Sequence, residues 1–491
     1  MSIAQASLKH FTIRFPWWRS LALGMLLATS LAPFAELILR SPRDALSIDV
    51  NSLSLQQSLA LPYLLCFIPY AAACVLVLFT RPAPGRWRWL EIGLILSGAL
   101  LLRSILLPLP PNLSRDSWRY VWDARVFLHG YSPYTTIPNI QALVPLHDFI
   151  YANSRFRTAP SLYPPAAQFV YVLSYLLAPS NLYALKGVFL LFDLLSCVVL
   201  LRLLMRKGLD PARVLLYAWC PLPIVEFALQ GHVDALTITF TLLAALNAGD
   251  KSWRGRALTG FFVGLGTLAK LYPILMLATV VRLREWRRDW LLVLTCLLTI
   301  GAGYLPFFIQ GHGQIFGYFS TYASEQGQNA GIVQQLLFLF GQAHRFSLTA
   351  IIALEHDVAL LLFTSIALLI FLLRQFERIS LEAGTLTLFA LALAVSSHVF
   401  PWYATTLLPW LALLLPTRGG ALLLPQVTAR LLALLALWLF ACLSVLSYGA
   451  SWPLYYLVVY DPLAAELILA ALISLSYTLP VLWQKGMIRA N

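Results

Sequence analysis

Charge is what this sequence has least of. Only 11% of its 491 residues are Asp, Glu, Lys or Arg, against roughly one quarter in an ordinary soluble domain, and no stretch is polar enough to build such a domain. Acidic groups are the scarcer kind, 21 against 34 basic ones, for a net charge of +13. The basic residues fall in short clusters between apolar runs, the loop pattern of a membrane protein, which argues against a nucleic-acid partner. The six cysteines, Cys66, Cys74, Cys197, Cys220, Cys296 and Cys442, all lie inside apolar segments at spacings that suit neither a disulfide framework nor a metal site. A Walker loop and a GxGxxG turn are both missing, so a cytosolic nucleotide held in a soluble domain is not the expected energy source or group donor. No internal repeat stands out, which weakens a transporter built from inverted repeats.

What the chain does have is apolar runs, with 60% of residues hydrophobic. A spanning helix needs about 20 apolar residues, and three early runs qualify, near 17–39, 59–80 and 90–108. The first follows Lys9, Arg14 and Arg19 like a signal peptide, but it is too long and lacks a small-residue cleavage site, so it is read as a retained span. Arg81, Arg86 and Arg88 between the second and third runs place that turn and the amino terminus in the cytoplasm by the positive-inside rule. The segment 110–168 is then extracytoplasmic, and its alternating aromatics and arginines suit short helices in the membrane interface.

Further along, an apolar segment starting at Tyr163, Pro164 and Pro165 is short enough for a juxtamembrane or re-entrant helix. Residues 186–205 read as a span, followed by two short apolar pieces, 214–229 and 236–247, broken at Gln230, Gly231, His232, Val233 and Asp234. The run 258–281 carries Lys270 at its middle and basic clusters at both ends. Two half-helices meeting at Lys270 satisfy both clusters, whereas a single span violates the charge rule at one end. A span near 291–309 leads to a second polar loop, 310–330, holding His312, Glu325, Gln326 and Gln328. Further spans are expected near 349–373, 384–397, 403–415, 431–447 and 463–483, returning Lys485 and Arg489 to the cytoplasm. The expected fold is all-α, one integral membrane domain over 1–491 with about 12–14 membrane helices.

Chemistry concentrates in the first loop, where Arg115, Asp116, Arg119, Asp123 and Arg125 stand close together. If 115–126 is helical, Asp116 and Asp123 share one face, as do Arg115 and Arg119. A carboxylate at the mouth of a low-dielectric cavity can serve as a general base; equally, these acids can do no more than pair with their arginines to shape the loop. His232, Asp234 and Lys270 interrupt apolar helices, where ionisable groups cost about 3 kcal/mol by insertion scales and are functional candidates for that reason. Lys270 suits a phosphate as a point charge, or snorkels to the surface. His232 and Asp234 are too few to argue a metal, so substrate hydrogen bonding or a structural pair is expected of them. His398 precedes Phe400, Pro401, Trp402 and Tyr403, aromatics that either stack on a sugar or mark the interface belt. Asp193, in mid-span, fits a helix–helix hydrogen bond as well as a catalytic part.

The run RDSWRYVWDARVFLHGYSPY, residues 115–134, resembles the D-x-x-R-Y-x-W-D-G-R-V-x-x-x-G-x-N-P-Y pattern of bacterial polyprenyl-phosphate-mannose-dependent mannosyltransferases of glycosyltransferase superfamily C. LYPP at 162–165, GHVDAL at 231–236, KLYP at 270–273 and HVFPWY at 398–403 resemble further landmarks of that family in the same order. Departures are Ala124 in place of Gly, Ser132 in place of Asn, and Val399 and Phe400 inserted after His398. They touch the choice of sugar and acceptor more than the fold.

The resemblance implies a membrane enzyme whose large first extracytoplasmic loop carries the base, here Asp116. The donor would be a polyprenyl-phosphate hexose, probed first as mannose, and the acceptor an extracytoplasmic glycan or lipid. Transfer would invert the sugar without a cofactor or metal, in a protein of the cell membrane expected to work as a monomer. Substrate contacts are expected from Arg115, Arg119, Tyr120, Trp122, Asp123, Arg125, Tyr163, His232, Asp234, His398, Trp402 and Tyr403, and phosphate contacts from Lys270, Lys186 and Arg103. A lipid-sugar flippase also wants buried charges and broken helices but needs them near the bilayer midplane. A glycan ligase shares the loop chemistry but leans on arginines and a histidine.

Overall fold

In the computed structural model, residues 17–43, 53–324, 330–416, 425–448, 459, 460 and 463 are described. Among them the architecture is helical with no strand. The main elements are α1 (Trp18–Arg40), α2 (Leu53–Phe79), α3 (Arg86–Leu106), α4 (Asp116–Leu128), α5 (Pro165–Leu177), α6 (Leu182–Arg206), α7 (Asp234–Ala248), α8 (Trp253–Ala269), α9 (Trp286–Gln310), α10 (Ile332–Ala343), α11 (Leu348–Gln375), α12 (Leu381–Ala394), α13 (Leu408–Leu414) and α14 (Pro425–Leu443). Among the described residues seven helices are long and apolar enough to cross a membrane, a bent pair is either an eighth, broken span or a re-entrant loop, and α5, α7, α10 and α12 are shorter apolar helices. The chain is a multi-pass membrane protein. The expected span near 463–483, the termini with Lys9, Arg14, Lys485 and Arg489, and the loop residues Glu325, Gln326 and Gln328 lie outside the described residues.

Several helices start where the sequence supplies a cap or a proline. Asn181, Ser252, Ser347 and Ser380 accept hydrogen bonds from the first free amides of α6, α8, α11 and α12, and Pro165 opens α5 at a position that needs no amide donor. Packing relies on small residues where backbones come closest. A Cβ on Gly260 of α8 would collide with the Leu292 carbonyl of α9, and one on Gly264 would sit 2.8 Å from Thr299 Cβ. This four-residue glycine repeat lets α8 and α9 approach as close-packed membrane helices do. Ser196 of α6 and Thr239 of α7 share a buried hydroxyl contact of 2.8 Å across the next interface.

The basic clusters gather at one end of the bundle. There Arg19 pairs with Asp210 at 2.6 Å and donates to the Arg81 carbonyl, Arg206 donates to the Leu246 carbonyl, and Arg256 pairs with Asp289 at 3.0 Å. Arg282 reaches Glu377 at 2.8 Å. The sequence α3 to α4 then leads away from this end, carrying Asp116 to the other.

Two departures from regular helix matter for function. The segment 211–229 bends by 51° between Pro211–Ala218 and Pro221–Leu229, because Pro221 and Pro223 lack amide donors. Carbonyls freed at the bend find other donors: Tyr70 Oη donates to Leu216 O at 2.7 Å, and Arg103 Nη1 to Ala218 O at 2.6 Å, as low-dielectric surroundings require. Beyond the bend, Ile224–Leu229 is a widened turn in which Gln230 N reaches back to Val225 O. The second departure is the break at Lys270, where α8 ends and the chain returns through 272–276 and 277–280 to the basic end. This is the half-helix arrangement that the two flanking clusters called for.

The sequence reading assigned no element to IVQQLLFLFGQA, which forms α10, and it drew 403–415 as one span where the structure has Pro401–Ala404, 405–407 and α13. Pro401 and Pro409 each open a new turn and divide that run.

Candidate active site

The first loop folds back into the protein instead of lying flat on the interface. Every residue of α4 from Asp116 to Val126 is buried. Its entrance is fixed by Gln230, whose Oε1 accepts from the backbone amides of Asn112 and Leu113 at 3.1 and 3.0 Å while its Nε2 donates to Asn112 Oδ1. The loop is tied shut by two arginines. Arg119 pairs with Asp123 at 2.6 Å and donates to the carbonyls of Phe156 and Ala159. Arg125 pairs with Asp148 at 2.8 Å and donates to the Leu146 carbonyl, and this pairing holds the Asp148 carboxyl below its usual range in spite of its partial burial. Arg119, Asp123 and Arg125 therefore hold the loop together. Trp122 belongs to the same scaffold, buried against Tyr151 and His147.

Asp116, the first residue of α4, is held differently. Its amide and carboxylate both use Ser114, and the Tyr163 hydroxyl hydrogen-bonds to its carboxylate. Tyr120 donates to Tyr163 at 3.1 Å and stacks on Tyr171 at 4.6 Å, which fixes that hydroxyl. Burial raises the Asp116 pKa above the ordinary carboxylate value, opposed by the charges of Arg155 and Lys270. A base with a raised pKa close to two cations is suited to take a proton without being neutral at rest.

Opposite Asp116, α7 and α8 meet head to tail. Asp234 opens α7 and Lys270 closes α8, each at the helix end whose dipole favours its charge, and the two pair at 2.7 Å with 1% and 14% of their side chains exposed. At 1.5 Å per residue, α7 and α8 are about 23 and 26 Å long, short of the ~30 Å hydrocarbon thickness. Lys270 Nζ also lies 3.7 Å from the Tyr403 ring centroid.

Lys270, Tyr163, Tyr322 and Tyr403 line a 410 Å³ cavity whose other walls include Leu271, Ile274, Leu275, Phe319, Phe363, Phe389 and Leu393. The cavity is largely apolar and bordered by α11 and α12. The second polar loop closes over it through 319–324: Tyr322 bonds Tyr403 through their hydroxyls at 3.0 Å and stacks on His398 at 4.4 Å. Trp402 is sandwiched between His232 at 3.8 Å and Phe400 at 4.6 Å, so both its faces are covered by protein rings and stacking on a sugar is closed to it. His232 is fully buried, 3.4 Å from Glu226. Arg115 is half-buried one residue before Asp116.

Two of the three phosphate candidates are occupied elsewhere. Lys186 donates to the Leu107 and Leu109 carbonyls at 2.8 and 2.5 Å, capping the end of α3. Arg103 pairs with Asp193 at 2.5 Å, both fully buried, and serves the bend at Ala218. Asp193 is accordingly a helix–helix partner. Lys270 alone of the three reaches the cavity. The sequence reading missed Arg155, Glu226, Tyr63, Tyr322 and Tyr448 around the site. Only Glu226 left a legible signal, as the one acid in an otherwise apolar run. Among the described residues no three His, Cys, Asp or Glu side chains gather as metal ligands.

The helical, multi-pass membrane fold thus brings a buried loop carboxylate, Asp116, close to Lys270 in the wall of a largely apolar cavity. Residues 162–401, just under half of the chain, match the model of glycosyltransferase family 87. No curated protein matches the chain. Among solved structures it is similar to ArnT from Cupriavidus metallidurans bound to undecaprenyl phosphate, at 16% identity over 77% of each chain and a TM-score of 0.41.

Proposed function

We propose that the protein transfers a hexose, with mannose the first candidate, from a polyprenyl-phosphate donor to an extracytoplasmic glycan or lipid acceptor, with inversion. The observation that carries this reading is the buried Asp116 carboxylate close to Lys270 in the wall of a largely apolar 410 Å³ cavity. A polyprenyl chain suits the apolar walls, and its phosphate suits the lysine. Lys270 spends one donor on Asp234, and an ammonium has three, so donors remain for phosphate oxygens.

In the reaction, the acceptor hydroxyl oxygen bonds to the anomeric carbon as the carbon–phosphate oxygen bond breaks. Asp116 takes the hydroxyl proton and the polyprenyl phosphate leaves with the bond's electron pair. Lys270 stabilises the charge that grows on that phosphate. Asp234 holds the lysine in place, and Tyr163 and Ser114 orient the base. The cavity supplies a place for a lipid-borne donor, so no soluble nucleotide-sugar domain is required. The active site and the loops face away from the cytoplasm and both termini towards it, in keeping with the basic clusters at the opposite end.

The test uses full-length protein in lipid with radiolabelled polyprenyl-phosphate mannose and a membrane extract as acceptor source. Asp116→Asn should lose transfer by at least ~10²-fold, as removal of a general base does, while still binding donor. Undiminished transfer by Asp116→Asn would exclude Asp116 as the base. Absence of transfer by the wild type with any polyprenyl-phosphate sugar would move the reading to a lipid-sugar flippase.

A further inference from the structure

Two of the groups around Asp116, Tyr163 and Lys270, line the cavity. Two others within electrostatic reach of the carboxylate, Arg155 and Tyr448, are not in that lining. Tyr448 closes the turn after α14, and its hydroxyl donates to Glu226 Oε2 at 2.9 Å. Tyr63 of α2 donates to Glu226 Oε1 at 3.2 Å. Glu226 is fully buried in the widened turn, so two phenols from distant helices converge on one carboxylate.

Beside this group, four buried polar atoms find no hydrogen-bond partner among the described residues: Ser117 Oγ, both ring nitrogens of His232, and Asp234 Oδ2. Ser117 packs against the Gly231 turn, where φ is +73° and a Cβ would stand 3.2 Å from Ser117 Cβ, and His232 and Asp234 follow that turn in the chain, with His232 Nε2 3.4 Å from Glu226. Burying an unpaired polar atom costs about 1–3 kcal/mol. Buried polar atoms left without partners next to the base are the kind that a polar ligand completes.

An inverting displacement brings nucleophile and leaving group to opposite faces of one carbon. With the leaving phosphate at Lys270, the acceptor must reach Asp116 from the side away from that lysine. We propose that Arg155 and Tyr448 form the acceptor subsite, which takes a hydroxyl-rich carbohydrate, and that Glu226 is the positioning residue that aims the Tyr448 hydroxyl. The subsite rests on the transferase reading above. Arg155 donates to acceptor oxygens, and the Tyr448 oxygen, its proton committed to Glu226, accepts from an acceptor hydroxyl. The unpaired atoms at the Gly231 turn receive the neighbouring hydroxyls or the water they carry.

The experiment uses full-length protein in lipid nanodiscs, radiolabelled polyprenyl-phosphate mannose as donor and octyl α-mannoside as acceptor probe. Tyr448→Phe should raise KM for octyl mannoside about tenfold, the worth of one hydrogen bond. KM for the donor should stay within about twofold, with a larger share of donor hydrolysed to free mannose. Glu226→Gln should act in the same direction, and combining it with Tyr448→Phe should add nothing, because Glu226 works through that hydroxyl. Unfolding midpoints measured alongside separate these effects from loss of fold. A Tyr448→Phe enzyme with wild-type KM for octyl mannoside, or one that loses donor affinity instead, overturns the subsite and leaves the transferase standing. A wild type that delivers mannose neither to octyl mannoside nor to water overturns both.

Discussion

Removing the ammonium of Lys270 should expose how much of the Lys270–Asp234 pair is structure and how much is chemistry. At 2.7 Å and an effective dielectric of about 20, the Coulomb attraction is about 6 kcal/mol. Desolvation of both groups takes back much of it, and breaking one side of a buried pair costs about 3–5 kcal/mol because a charge is left uncompensated. Lys270→Met strands Asp234, which is 1% exposed and already has one oxygen without a partner. The variant should unfold at a clearly lower temperature in lipid nanodiscs, losing about 3 kcal/mol or more. Adding Asp234→Asn removes the stranded charge and should restore most of that stability. Transfer should not return, because the leaving phosphate still lacks its cation, and the rate of the double variant should remain about 10²–10³-fold below wild type. A thermal-unfolding series and initial rates on the four proteins complete the cycle. Wild-type stability in Lys270→Met would refute the energetic reasoning. Recovery of transfer in the double variant would refute the phosphate role.

The raised pKa of Asp116 predicts an acid limb in kcat/KM: the base works only when charged, so activity falls as pH drops, and it does so above the ordinary aspartate value of about 3.9. Arg155 favours the charged form, so Arg155→Gln should move that limb to higher pH, and a limb that moves lower would contradict the assigned electrostatics. At the helix interface, Gly260→Val should force α8 from α9 and cost about 2–3 kcal/mol, read as a lower unfolding midpoint. Gly24→Val, on α1 where nothing lies within 4 Å, should change the midpoint little by comparison.

Much of the site was legible because ionisable residues are conspicuous in an apolar chain. Asp116, His232, Asp234 and Lys270 could be picked out one by one for that reason, and the charge clusters on either side of Lys270 required a break there. Arg155 carried no such signal, one more arginine in a loop already rich in them. Lys186 and Arg103 carried the same signal as Lys270 and have another use, since only the fold reveals that their donors end on orphaned carbonyls at Leu107, Leu109 and Ala218. Trp402 likewise looked available for stacking until His232 and Phe400 were found on its two faces.

By itself the sequence determined that the chain is helical and membrane-embedded, and it singled out the ionisable residues of the first large loop. Those properties follow from local quantities, the length of apolar runs and the position of charge and proline along them. Only the tertiary structure decided which charges face each other. Arg119 with Asp123 is a contact four residues apart on one helix, but Asp234 with Lys270 joins two helix ends, and Glu226 meets Tyr63 and Tyr448 from opposite parts of the chain. Pairings of that kind depend on how helices pack and where they break, and the low dielectric around them turns a small difference in position into the difference between a staple and a site.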